Sequence, residues 1–262
     1  MRKNVASNIM PKPDTDTDEE RRERALVVDE ILANHYGAPF IPFSNRGPLT
    51  EMVKALLSHR TKNAVTRAGF DNLRTKFPTW QEVIDAPTAA VEAAIRVVTF
   101  PEVKAPRIQE ALRQVAARND GELSLDGIHE VSVTDARAWL EEIPGVGAKT
   151  SAAVLSFSYL RMKALVVDTH HHRVALRLGV VPPKSSLEKT ARLLQSYLPD
   201  DWDGQRVYDS HQGYMRHGQR VCSFRAPKCS ECVVQRYCAY FATAVESSAT
   251  KPDEGSTGSS HQ

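Results

Sequence analysis

The sequence predicts an all-α fold. Apolar residues recur at helical spacing in one segment after another along the chain. A glycine hairpin, Pro144-Gly145-Val146-Gly147, separates two such segments and reads as helix, tight turn, helix. A third observation marks off the end of the helical part: four cysteines crowd together after the last long periodic segment.

The 262 residues, 41% of them hydrophobic, allow one large domain or two small ones and a sizeable core. With 34 basic against 32 acidic residues the formal charge is only +2, so bulk charge announces no nucleic-acid partner and local distribution must carry that argument. No apolar run approaches membrane-spanning length, and the N-terminus lacks the apolar stretch of a secretory signal. The expectation is a soluble intracellular protein without membrane association, cytoplasmic and nucleoid-associated if the source is bacterial.

Residues 1–24 are polar, with Asp14, Asp16, Asp18, Glu19 and Glu20 running into Arg21 and Arg22, and are expected to be a disordered tail. From Ala25 to His35, Leu26, Val27, Ile31 and Leu32 share one helical face, and Gly37 and Pro39 end the segment. Pro48 to Leu57 and Ala64 to Phe77 read as two further helices, joined by the polar, basic loop Ser58-His59-Arg60-Thr61-Lys62-Asn63. Trp80 to Val98 reads as two short helices around Pro87. Phe100 follows, either a core aromatic or a side chain facing a ligand. Glu102 to Arg118 is a basic helix stopped by Asn119, Asp120 and Gly121, and such a charge run ordinarily marks a solvated face.

After a loop from Leu123 to Ser132, Trp139, Leu140 and Ile143 mark the helix before the hairpin, and Ala153, Val154, Phe157 and Leu160 mark the one after it. That second helix should begin near Ala148. Its N-terminus offers backbone N–H groups without intrahelical acceptors, and Gly145 and Gly147 let an anion approach the main chain. Lys149 lies in its first turn, where a cation opposes the helix dipole. A partly desolvated amine there would be neutral often enough to attack an electrophilic carbon and form a Schiff base. Asp168 follows the apolar run Ala164 to Val167 and stands where a third helix starts, a position suited to an N-cap. Of the three histidines that follow, His170 is read as structural or site-supporting, and His171 and His172 as solvent-facing. Neighbours on a helix diverge and do not readily share one metal ion. Helices from Leu187 to Leu198 and from Val207 to Arg220 complete the set.

All four cysteines lie in the 17 residues from Cys222 to Cys238, spaced C-x6-C-x2-C-x5-C. Crowding of this kind in a chain without secretory features is a metal site, served by either a structural zinc or a four-iron four-sulfur cluster. Arg225 and Lys228 sit on the loop between the first two cysteines. The end from Ser247 to Gln262 is rich in Ser, Gly and Thr, and residues 244–262 are expected to form a second disordered tail.

The segments LEEIPGVGAKTSA and VVDTHHHRV, together with HG-x3-C-x6-C-x2-C-x5-C, resemble endonuclease III, a family of helix-hairpin-helix DNA glycosylases. The resemblance covers about Leu26 to Phe241. It implies catalytic roles for Lys149 and Asp168, DNA backbone contact by Gly145, Val146 and Gly147, and a 4Fe-4S cluster on Cys222, Cys229, Cys232 and Cys238. Arg225 and Lys228 are then phosphate contacts. LLSHRTKN is similar to the family segment whose glutamine enters the duplex as a wedge, a place held here by Arg60. TFPEVKA is similar to a second DNA-facing loop and puts Phe100 where the family has an intercalating leucine; Thr99 and Pro101 imply a stiffer loop.

The implied architecture is two helical domains flanking a DNA-binding cleft: a six-helix barrel over 44–163, and a cluster domain built from 25–43 and 164–243. The implied activity is base excision of an oxidised pyrimidine from double-stranded DNA, followed by lyase cleavage at the abasic site, by a monomer. A monofunctional glycosylase and a non-catalytic binder of damaged DNA are the alternatives.

Overall fold

The computed structural model describes residue 11, residues 15–41 and residues 46–243; the expected tail over 244–262 and all but one of residues 1–14 lie outside them. Among the described residues all regular structure is helical, and no helix is long and apolar enough to cross a membrane. Two compact units divide the described residues: those within 1–36, 169–197 and 214–243 form one, and those within 37–168 and 198–213 form the other.

The second unit contains α2 (Pro48–Ser58), α3 (Asn63–Lys76), α4 (Trp80–Asp85), α5 (Thr88–Ala94), α6 (Pro101–Arg118), α7 (Val133–Glu141) and α8 (Ala148–Phe157). Its core follows from helical periodicity. Leu49, Met52, Val53, Leu56 and Leu57 make one buried stripe on α2, and Ala105, Ile108, Leu112 and Val115 make another on α6. Leu140 of α7 and Val154 and Leu155 of α8 are fully buried in the same core. Thr79 caps α4 in a capping box with Glu82, which fixes where the chain resumes helix after Phe77.

Ala164 and Val166 also belong to this core. That is why residues 164–168 group with the hairpin rather than with the cysteines, as 164–243 was expected to do. Their extended path is anchored where Met162 N–H donates to the Leu155 carbonyl at 3.0 Å.

The other unit contains α1 (Asp18–Tyr36), α9 (Thr169–Leu178), α10 (Leu187–Tyr197) and the end of α11 (Gly204–Arg220). Helix α1 begins seven residues before the expected Ala25, so 18–24 is not a disordered tail. The cause is local. Glu20 N–H donates to Thr17 Oγ1 at 3.2 Å while Thr17 N–H donates to Glu20 Oε2 at 2.7 Å, the reciprocal pair of a capping box. Arg24 then pairs with Asp16 at 2.8 Å, both side chains almost wholly buried, and donates to the Gly179 carbonyl at 2.8 Å.

The hairpin between α7 and α8 turns on Gly145, whose φ is +88°, a region that strains any residue with a Cβ. A Cβ placed there would lie 2.4 Å from Arg107 Cδ, so the turn is packed directly on the α6 side chain. Val146 is buried behind it, and its N–H donates to the Ile143 carbonyl at 2.9 Å. Ser151 Oγ donates to Glu141 Oε1 at 2.6 Å, and Arg137 reaches both Glu141, at 3.3 Å, and the Ala148 carbonyl, at 3.3 Å. These bonds lock α8 against the end of α7. Gly145→Ala is therefore expected to cost about 1–2 kcal/mol of stability from the backbone alone, more if Arg107 cannot move aside. Urea unfolding beside the wild type measures it, and an unchanged midpoint would show that the turn relaxes freely.

Candidate active site

Lys149 stands on the first turn of α8 with its side chain exposed. The partial desolvation expected for its amine is therefore not supplied by this chain alone, because the helix start projects outward from the hairpin. No side chain caps α8 at Gly147, and nothing lies within 4 Å of where a Gly147 Cβ would be, while Thr150 N–H and Ser151 N–H donate to the Gly147 carbonyl at 2.8 and 2.9 Å.

Asp168 lies in the same unit, partly buried, immediately before Thr169, the first residue of α9. The sequence reading passed over a third side chain here. His211 of α11 is 3% exposed and donates Nδ1–H to the Val166 carbonyl at 2.8 Å. Its ring packs on Phe157, the last residue of α8, at 5.3 Å between centroids. Burial pushes the His211 pKa down. The Asp168 carboxylate and the Val166 carbonyl oppose that shift, and the Lys149 charge adds to it. The imidazole thus senses both candidate catalytic charges.

A fourth group approaches from α2. His59 is half-buried with Nε2 3.1 Å from Thr150 Oγ1, next to Lys149 in the chain. Burial lowers its pKa, and the charges of Lys149, Lys104 and Arg107 lower it further. Lys104 corrects the expectation of a solvated basic face on α6. It is 4% exposed, and its ammonium donates to the Leu57 carbonyl and to Thr61 Oγ1, each at 2.7 Å. Thr99 N–H also donates to Thr61 Oγ1, at 3.3 Å. Lys104 and Thr61 together therefore tie the loop of Arg60 to the loop of Phe100. Both tips are left-handed, with φ of +54° at Arg60 and +57° at Phe100. Arg60 is exposed and Phe100 is 48% exposed, which removes the reading of Phe100 as a core aromatic.

In the other unit, α9 sorts its histidines differently from expectation. His171 is 1% exposed and stacks on Tyr214 at 4.2 Å, because it shares the apolar face of Val174, Ala175 and Leu178. His172 is partly buried and bonds Thr190 Oγ1 through Nδ1 at 2.9 Å, so neither is simply solvent-facing. His170 Nδ1 meets Arg173 at 3.1 Å.

Helix α9 also holds the cysteine loop, through Val174, Arg177 and Leu178 on the lining of its concavity. Arg173 donates to the Cys222 carbonyl at 3.0 Å, and Arg177 donates to Cys222 Sγ at 3.3 Å and to the Phe224 carbonyl at 2.8 Å. Cys222, Cys229, Cys232 and Cys238 line one concavity together with Arg177 and His217. His217 Nε2 lies 3.5 Å from Cys232 Sγ, and the Tyr36 hydroxyl lies 3.2 Å from His217 Nδ1. Burial raises the pKa of the Cys232 thiol and pushes that of Cys238 up to about 11, so ionising them near neutral pH takes a bound cationic centre. Among the described residues no three His, Cys, Asp or Glu side chains converge as a single metal ion requires; the four thiols are spread around the concavity instead. Arg225 and Lys228 are exposed on this loop, with Lys228 3.6 Å from Glu231.

A family model described as "HhH-GPD superfamily base excision DNA repair protein" matches residues 53–200. An Arabidopsis thaliana protein named "Putative DNA glycosylase" is 33% identical over 175 residues, 67% of this chain but only 57% of that protein's length. Endonuclease III of Thermotoga maritima is 29% identical over 194 residues, 74% of this chain and 84% of its own. The Escherichia coli K12 endonuclease III is 26% identical over 219 residues, 84% and 96% of the two chains. Among solved structures, a trapped endonuclease III–DNA covalent intermediate superposes with a TM-score of 0.72 at 23% identity, covering 86% of this chain and 98% of that one. A thermostable thymine-DNA glycosylase gives 0.67 at 22% identity, covering 87% and 100%. At these identities the superpositions speak for the fold.

The half-buried His59 and the buried His211 predict an acid-sensitive fold. His59 and His211 both have folded pKa values below the ordinary 6.5, so between those values the unfolded chain binds more protons. Stability is fully present above the ordinary value and lost as pH falls below it. The urea midpoint should drop from about pH 7.5 to about pH 5, and less steeply in His59→Gln; equal slopes in the two proteins would rule out His59 as a source.

Proposed function

This chain belongs to the HhH-GPD superfamily of base excision DNA repair proteins and to the endonuclease III family within it, and from that premise we propose that it is a DNA glycosylase with AP-lyase activity on oxidised pyrimidines in double-stranded DNA. One observation carries the reading above the rest: an exposed lysine on the first turn of the hairpin helix, with Asp168 in the same unit.

In this reading a nucleotide flipped from the duplex presents C1′ to Lys149. Asp168 accepts a proton from the Lys149 ammonium, and Nζ then attacks C1′. The base leaves with the electron pair of the glycosidic bond. Loss of a second proton lets the Nζ lone pair expel O4′, which takes up a proton as the C1′–O4′ bond breaks. The protonated Schiff base so formed draws electrons from C1′, so the C2′ proton is lost to a base and the 3′ phosphate departs in β-elimination. Asp168 also faces the positive charge that develops on the sugar. DNA closing over the exposed Lys149 removes water from the amine, the desolvation that the free protein lacks.

The hairpin N–H groups at Gly145, Val146 and Gly147 hold backbone phosphate, and Arg60 and Phe100 enter the duplex from their two tethered tips. Cys222, Cys229, Cys232 and Cys238, which line one concavity, would hold the 4Fe-4S cluster that the family resemblance implies. Bound there, the cluster fixes the loop that presents Arg225 and Lys228 to phosphates. The protein acts as a monomer inside the cell, in the cytoplasm and at the nucleoid if its source is bacterial.

Borohydride trapping on duplexes carrying thymine glycol or an abasic site tests the chemistry. Cluster-loaded wild type should form a covalent complex with both, Lys149→Ala with neither, and Asp168→Asn more slowly by about 10²-fold. Trapping that survives Lys149→Ala would sink the nucleophile assignment, and no trapping by wild type would turn the reading to a monofunctional enzyme or a non-catalytic binder. Salt titration tests the loop separately: Arg225→Ala and Lys228→Ala should each lower the slope of log affinity against log salt by about 1. Unchanged slopes would place the loop away from DNA.

A further inference from the structure

His211 has no part in the bond-making steps above, yet it is 3% exposed beside elements that carry Lys149 and Asp168. Its neighbour Asp209 has a clear structural task, accepting Phe40 N–H at 2.9 Å and Gln205 Nε2–H at 2.8 Å. His211 instead spends its ring on two elements that carry the chemistry. Nδ1–H reaches Val166, two residues before Asp168, in an extended run. The ring face meets Phe157 at the end of the helix that Lys149 begins, and Tyr208, one turn earlier on α11, closes on the same phenyl ring at 5.5 Å.

We infer that His211 is a positioning residue: by bonding the Val166 carbonyl and packing on Phe157, it sets the placement of the Asp168 carboxylate relative to the Lys149 amine. The inference rests on the lyase reading, since it concerns how that pair is aimed. A carbonyl only accepts, so Nδ1 carries the proton and Nε2 is the acceptor nitrogen of a neutral ring. Burial keeps the ring neutral, which suits a brace beside a lysine and a carboxylate that exchange a proton: it adds no charge of its own. The groups facing it are Asp168 and the Val166 carbonyl from the extended run, and Lys149 and Phe157 from α8. Small displacements matter at this range, because reacting groups moved by about 1 Å can lose about 10²-fold in rate.

Asparagine and glutamine separate the two ring nitrogens, because the Asn amide N–H falls where Nδ1–H is and that of Gln falls where Nε2 is. The experiment uses full-length, cluster-loaded protein with His211→Asn, His211→Gln and His211→Leu. It reads the single-turnover trapping rate on an abasic duplex and the affinity for a duplex carrying a tetrahydrofuran abasic analogue. The Leu and Gln variants should trap about 10²-fold more slowly and bind within about threefold of wild type, while Asn recovers most of the rate.

Equal rates in Asn and Gln, or a loss that lies wholly in binding, overturn the inference. If Leu does not fold, the Asn and Gln pair decides alone. Wild type that traps while all three variants match it defeats only the role of His211; wild type that never traps removes the lyase reading and this inference with it.

Discussion

The turn at Gly145 is the constraint on which the site depends. A left-handed residue packed on the Arg107 side chain leaves α7 and α8 one way to meet, and the bonds from Ser151 and Arg137 hold that meeting. The rotation of α8 about its own axis is set independently, by Ala152, Val154 and Leu155 in the core. With the direction given by the turn and the rotation by the core, the exposure of Lys149 has no freedom left. Lys149 is therefore aimed by packing some distance behind it, and the polar surface in front can vary without disturbing its placement.

The unit that carries the cysteines uses a different economy of contacts. Helix α9 buries His171, Val174, Ala175 and Leu178 on one side and extends Arg173 and Arg177, four residues apart, on another. Two guanidiniums then take up carbonyls at Cys222, Ser223 and Phe224 that a loop of this shape cannot pair with its own backbone. The loop is thus shaped from outside by α9 before any centre is bound. His217, with Tyr36 behind it, closes the opposite wall of the same concavity.

Much of this was readable from the chain. Helix α2 announces itself by Leu49, Met52, Val53, Leu56 and Leu57, the hairpin by its two glycines, and the cysteine loop by spacing. The start of α1 was also written in the sequence, since Thr17 and Glu20 have the spacing of a capping box, but the acidic run around them read as disorder. His171 carried a usable signal too, its three- and four-residue spacing to Val174 and Ala175. Lys104 and His211 had none. Each is buried because a backbone carbonyl remote in the chain, Leu57 or Val166, waits for its proton, and carbonyl positions are set by tertiary structure rather than by residue type. The weight of the site thus lay in groups whose partners no local pattern encodes.

The left-handed backbone at Arg60 and Phe100 has a consequence beyond local geometry. A non-glycine residue in that region costs about 1–2 kcal/mol, and here the cost is met when the chain folds, with Lys104 and Thr61 holding both tips in place. The tips are stiff before any partner arrives, and binding gains nothing further by ordering them. In the proposed function it is the duplex that must yield, so base steps that unstack easily would be engaged ahead of stiff ones even where the protein touches no base edge.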